Sequence, residues 1–181
     1  MCPRFAAGLS VICSLALSHL AVGAEPFNLT IPGQGWFIAF ESPSLSNFVG
    51  QTNGKSSQFR AIGETGFNVT IYVEEPKGKS ESHESCFNYY WPLAKRNPTI
   101  DQPSVKVMKT DRFVKVSYVS KVAEGNKETA TSNVNYYFRF KGRWVDVHVS
   151  RYPPRKDDDE VLAAFEKSIS YRTSKSESKS P

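Results

Sequence analysis

The chain is short of the residues from which most active sites are built. Its 181 residues include 3 cysteines, 3 histidines and 2 methionines. So few histidines argue against a histidine-based metal centre, which draws on several imidazoles at once. No glycine-rich loop leads into a helix, because Gly33-Gln34-Gly35 runs into the apolar stretch Trp36-Phe37-Ile38. That excludes the usual phosphate cradle. After residue 24 no apolar run approaches the ~18 residues that a membrane-crossing helix needs. Nor does one sign of charge dominate: 23 Lys and Arg face 18 Asp and Glu, a formal net charge of +5. That excess is too small and too mixed for nucleic-acid binding. It permits weak contact with anionic polymers or envelope surfaces. No internal repeat is present, and no cofactor or metal is expected.

What the chain has instead is a distinctive front end and an aromatic-rich body. Residues 1–24 read as a secretory signal peptide: Arg4 is the only charge, Phe5 to Leu20 is largely apolar, and Val22-Gly23-Ala24 supplies small residues for cleavage before Glu25. Ile12 precedes Cys13 where a lipid-anchor cysteine needs a small residue, so lipidation is not expected. Cleavage removes Cys2 and Cys13. Cys86 is then alone, without a partner for an internal disulfide. Flanked by Phe87 and the run Tyr89-Tyr90-Trp91, it reads as a small buried hydrophobe. Asn28-Leu29-Thr30 and Asn68-Val69-Thr70 have the form of glycosylation sequons. Aromatics, 12 Phe, 8 Tyr and 3 Trp, offset the thin aliphatic content and make a packed core feasible.

Strand patterns dominate the body. Trp36–Phe40 and Phe59–Ile62 are short β-runs. Phe67, Val69, Ile71 and Val73 alternate with polar neighbours through Glu74, as in a strand with one dry face. Residues 42–57 and 123–133 are polar and read as loops. Ser80 is a candidate helix cap, and Phe87, Tyr90, Trp91 and Ala94 share one helical face. Pro92 predicts a kink or break there, and Asn97-Pro98 an end. A hairpin turning at Lys109–Arg112 pairs Val107 with Val114 and Val105 with Val116. A second hairpin turns at Lys141-Gly142 and pairs Phe138 with Val145, Tyr136 with Val147 and Val134 with Val149. Asp157–Glu160 places acids at the start of a helix whose apolar stripe is Val161, Leu162, Phe165 and Ile169. The expected domains are a signal peptide (1–24), a single α+β domain (25–171) and a disordered basic tail (172–181). The domain is expected to be one antiparallel sheet with a mid-chain helix and a C-terminal helix packed on it.

One constellation stands out. The second face of the last hairpin gathers Asn135, Tyr137 and Arg139 opposite His148, Asp146 and Trp144. Arg139 over Trp144 suits a cation–π pair. Tyr137, Arg139, Trp144, Asp146 and His148 are therefore the candidate binding residues. The competing reading is a sheet face covered by a helix, with the polar groups at its rim. Asp146 and His148 share a face, but no nucleophile is evident beside them, and no catalytic residues are assigned.

The Gly35-Trp36 strand start, the mid-chain helix, the strand meander and Phe165–Ile169 in a closing helix resemble the Mog1/PsbP-like group of α/β/α sandwiches over about residues 27–171. The resemblance implies binding and assembly roles without a shared catalytic site. Two functions follow, beside the plainer option of a structural envelope protein with no small ligand. One is a secreted or periplasmic, non-enzymatic binding or assembly module whose partner is a protein or envelope component. The other is an extracytoplasmic, hydrolase-like enzyme with a site scattered over loops. A pocket gathering Cys86, His148 and an acid would favour the enzyme; a solid core there would favour binding.

Overall fold

The structure, a computed structural model, describes residues 24–77, 82–124 and 127–173. In chain order the elements are β1 (Glu25–Ile31), β2 (Trp36–Ser42), β3 (Ser46–Thr52), β4 (Ser56–Ile62), β5 (Phe67–Glu74), α1 (His83–Ala94), β6 (Lys106–Lys109), β7 (Val114–Glu124), β8 (Lys127–Phe140), β9 (Arg143–Arg151), α2 (Asp158–Ser168) and β10 (Ser170–Thr173). The α+β class holds, but the strands form two antiparallel sheets where one was expected. A seven-stranded sheet runs β3-β4-β5-β9-β8-β7-β6, and a three-stranded sheet runs β1-β2-β10. Period-2 alternation shows where a strand has a dry face. It does not say which strand lies beside it.

The second sheet and α2 cover one face of the large sheet. Phe67, Val69, Ile71 and Val73 of β5 pack there with Val145, Val147 and Val149 of β9, against Trp36, Ile38 and Phe40 of β2. Phe165 of α2 brings its ring to Phe40 at 4.8 Å, Tyr136 at 5.9 Å and Phe67 at 6.1 Å. On the opposite face α1 encloses a second cluster of Cys86, Trp91, Val114, Val116, Tyr137 and Trp144. The result is three layers: α1, the large sheet, then α2 beside the small sheet.

The last hairpin has the register read from its sequence, with Phe138 opposite Val145, Tyr136 opposite Val147 and Val134 opposite Val149. Lys141 and Gly142 supply the two positive φ values, 48° and 74°, that a primed hairpin turn requires. The earlier hairpin is shifted: Lys109 pairs with Val114 and Val107 with Val116. Thr110 explains the shift. Its hydroxyl accepts from the Arg112 and Phe113 N–H groups at 3.2 and 3.1 Å, which moves the turn along the chain. Val114 and Val116 are buried, whereas Val107 is exposed on the edge strand β6.

Five further expectations are corrected. Residues 42–57 form a hairpin, not a loop; Asn53 Oδ1 accepts from Lys55 and Ser56 N–H at 3.1 and 2.8 Å and closes it. Within the stretch read as a second loop, residues 123–124 and 127–133 continue β7 and β8 as paired strands, with Glu124 opposite Lys127. The cap of α1 is Ser82, whose side chain accepts from Ser85 N–H, while Ser80 lies outside the described residues. Helix α1 continues past Pro92 and stops at Ala94, before Asn97. Arg172 and Thr173, grouped by composition with a tail, pair with Phe37 and Trp36 in β10. Residues 1–23 and 174–181 lie outside the described residues.

Candidate functional site

Register fixes the five candidate binding residues: Arg139 pairs with Trp144 and Tyr137 with Asp146, and Asn135 pairs with His148. Helix α1 then divides them. Tyr137 and Trp144 are 0% and 2% exposed and belong to the cluster beneath α1. Phe87 and Tyr90 meet the Tyr137 ring at 5.9 and 6.4 Å; Tyr89 and Tyr90 meet Trp144 at 5.6 and 6.1 Å. Arg139 is half-buried at the rim, and its N–H donates to His83 Nδ1 at 2.9 Å. With Nδ1 accepting, His83 Nε2 carries the proton and donates to the Asp111 carbonyl at 3.2 Å, which ties the start of α1 to two hairpins.

Cys86 sits within the same cluster. It is fully buried, and its Sγ–H donates to the Val145 carbonyl at 3.4 Å. Burial pushes the thiol well above its ordinary range, with the Asp146 carboxylate adding to the effect. Nucleophilic attack needs the thiolate, the form that this burial disfavours.

Asp146 and His148 share a face but do not bond each other. Each reaches diagonally to an asparagine of β8. Asn135 Nδ2 donates to Asp146 Oδ1 at 2.8 Å, and His148 Nε2 lies 3.1 Å from Asn133 Oδ1. Loss of water pushes the Asp146 carboxyl up to about 7, partly offset by the Asn135 bond, with Glu74 adding a further rise. Loss of water also holds the His148 imidazole down at about 4. Both groups are neutral-preferring members of a sheet face, not an oriented base pair.

Beyond the reach of α1 that same face is open. Gln58, Tyr72 and Asp146 stand in one row across β4, β5 and β9, and Arg60, Thr70 and His148 in the next. Asn68 and Ser150 form a third. Excluding Asp146, these residues line a trough of about 300 Å³, at the small end of ligand sites, ~300–1,000 Å³. Of the five candidate residues read from the sequence, only His148 lines it. The missing signal was the pairing of β4 with β5, which carries Gln58 and Arg60 onto the face.

Two other hollows are less suited to a ligand. An apolar groove where the sheets meet is lined by Phe27, Phe40, Phe48, Phe59 and Ile71 and holds only about 90 Å³. Phe48 is 57% exposed there and stacks on Phe27 at 5.4 Å. A third hollow, between β7 and α2, includes the ion pair of Lys115 with Glu166, so those two charges satisfy each other.

No family model and no curated protein matches the chain. Among solved structures it is similar to cyanobacterial PsbP (CyanoP) from Synechocystis sp. PCC 6803, at 12% identity and a TM-score of 0.47, covering 86% of this chain and 96% of that one. It is also similar to a protein from Bacteroides thetaiotaomicron VPI-5482, at 12% identity and a TM-score of 0.40, covering 75% of this chain. The chain spans 45% of that second protein's length. These are likenesses of fold alone, and the PsbP-like resemblance noted in the sequence extends no further than that.

Proposed function

We propose that the chain is a secreted or periplasmic, non-enzymatic binding or assembly module whose partner is a protein or envelope component. The observation that carries this reading is the filled cluster at Cys86. The thiol is enclosed by Tyr137, Trp144 and Trp91, while His148 lies outside that cluster and bonds Asn133. An enzyme of the hydrolase-like kind would bring nucleophile and base within hydrogen-bond reach. Here they occupy separate environments. The apolar stretch before Glu25 and the mild basic excess support delivery to an envelope compartment.

Fractionation of the expressed full chain tests both parts. The mature protein is expected outside the cytoplasm with Glu25 as its first residue, and to co-sediment with envelope material. Cys86→Ala is expected to co-sediment equally well. An intact Met1 species confined to the cytoplasm would overturn the compartment. A folded Cys86→Ala protein that no longer co-sediments would give the thiol a role and favour the enzyme.

A further inference from the structure

The open trough is built mostly from uncharged polar groups. Gln58 and Asn68 offer amides, and Thr70 and Ser150 offer hydroxyls. Each of these both donates and accepts hydrogen bonds. That is the pairing capacity of a sugar hydroxyl. Tyr72 adds a ring that is 36% exposed, and Gln58 Nε2 donates to its hydroxyl oxygen at 3.1 Å, which fixes the ring's tilt. An exposed aromatic face with a polar tip suits the apolar face of a sugar ring.

Charge narrows the ligand further. Arg60 lines the trough and has no acidic partner among the described residues. No acidic side chain lines the trough either. A cation would find no counter-charge there, and an apolar ligand would strip water from amides and hydroxyls. An anion would meet a planar guanidinium fork able to hold a carboxylate or sulfate through two parallel bonds. All these side chains stand on paired strands of the large sheet, so their spacing is held by the backbone ladder.

We propose that the trough binds an anionic saccharide, with Arg60 on the acidic group, the amides and hydroxyls on ring hydroxyls, and Tyr72 against the ring. This deepens the binding-module reading and rests on it. Calorimetric titration of the purified full chain tests it, with oligogalacturonate as the carboxylated probe and sulfated dextran oligomers as the sulfated one. Unmodified dextran oligomers and citrate serve as the neutral and non-sugar comparisons. At least one acidic glycan is expected to bind about tenfold or more tightly than either comparison. Arg60→Gln and Tyr72→Ala are each expected to weaken that binding by about tenfold, with unchanged melting temperature because both side chains are exposed. Failure of both acidic probes to bind, citrate binding as well as the glycans, or full affinity in both variants would overturn the site. Release of new reducing ends from the bound glycan would instead overturn the non-enzymatic reading and leave the site standing. Absence of binding does the opposite.

Discussion

Trp144 shows how burial decides a residue's role. Its chemistry suits a binding hot spot, yet Tyr89 and Tyr90 close over it and leave it 2% exposed. Trp144→Ala is therefore expected to cost about 3–5 kcal/mol of stability, read as a lowered denaturant midpoint; an unchanged midpoint would show the ring to be dispensable to the core. Asp146 and His148 make a second test, because their ionisation opposes. Asp146 keeps its proton in the folded chain to about pH 7 against an ordinary 3.8, so its contribution to stability falls as pH rises through that window. His148 resists protonation down to about pH 4 against an ordinary 6.5, so its contribution falls as pH drops from 6.5 to 4. Across their shared window the two slopes oppose, each at most about 1.4 kcal/mol per pH unit. Asp146→Asn removes one of them, and stability relative to wild type should then rise more steeply with pH between 4 and 6.5. His148→Gln should tilt the profile the other way. Urea unfolding across that range reads both; parallel profiles for all three proteins would contradict the assignment.

At the scale of elements, legibility followed patterning. The last hairpin carries an alternating apolar set on both arms and a Lys-Gly turn, so only one register buries that set, and β8 and β9 adopt it. The same pairing named the candidate face correctly as a group of neighbours, but α1 covers half of it, and no periodicity states which face a helix will choose. The β3–β4 hairpin was illegible because β3 exposes both of its apolar residues, Phe48 and Val49 at 57% and 56%, and so lacks a dry face. Gln58 and Arg60 of the trough were hidden for another reason: no local pattern pairs β4 with β5. The acidic run at α2 was placed correctly at a helix start, but its partner is remote from any local pattern: buried Arg151 bonds Asp157 at 2.7 Å and Asp158 at 3.1 Å. This guanidinium, stacked 5.8 Å from the Phe67 ring, fastens α2 to β9. Arg151→Ala leaves the Asp158 carboxylate without its partner and is expected to cost about 3–5 kcal/mol, measured by denaturant unfolding. A loss within ~0.5 kcal/mol, the range of ordinary surface changes, would show that other contacts hold α2.

For the whole molecule, the large sheet serves two surroundings. One face carries the main apolar core and is shared by the small sheet and α2, with ion pairs of Lys115 and Arg151 at its edges. The other is sealed by α1 over Cys86, Tyr137 and Trp144 and open over Arg60, Thr70 and Tyr72. That division separates the thiol from the accessible polar surface and leaves the open half as the face for the proposed binding. Cys86 reports on it directly. The labelling rate of Cys86 in the native full chain, followed by mass spectrometry of the peptide that contains it, is the decisive measurement. The thiol is predicted to stay unmodified by a water-soluble disulfide reagent until denaturant unfolds the whole domain, with labelling tracking global unfolding. Rapid labelling of Cys86 under native conditions would mean that α1 opens onto a reactive thiol, and would contradict a sealed core and the non-enzymatic account built on it.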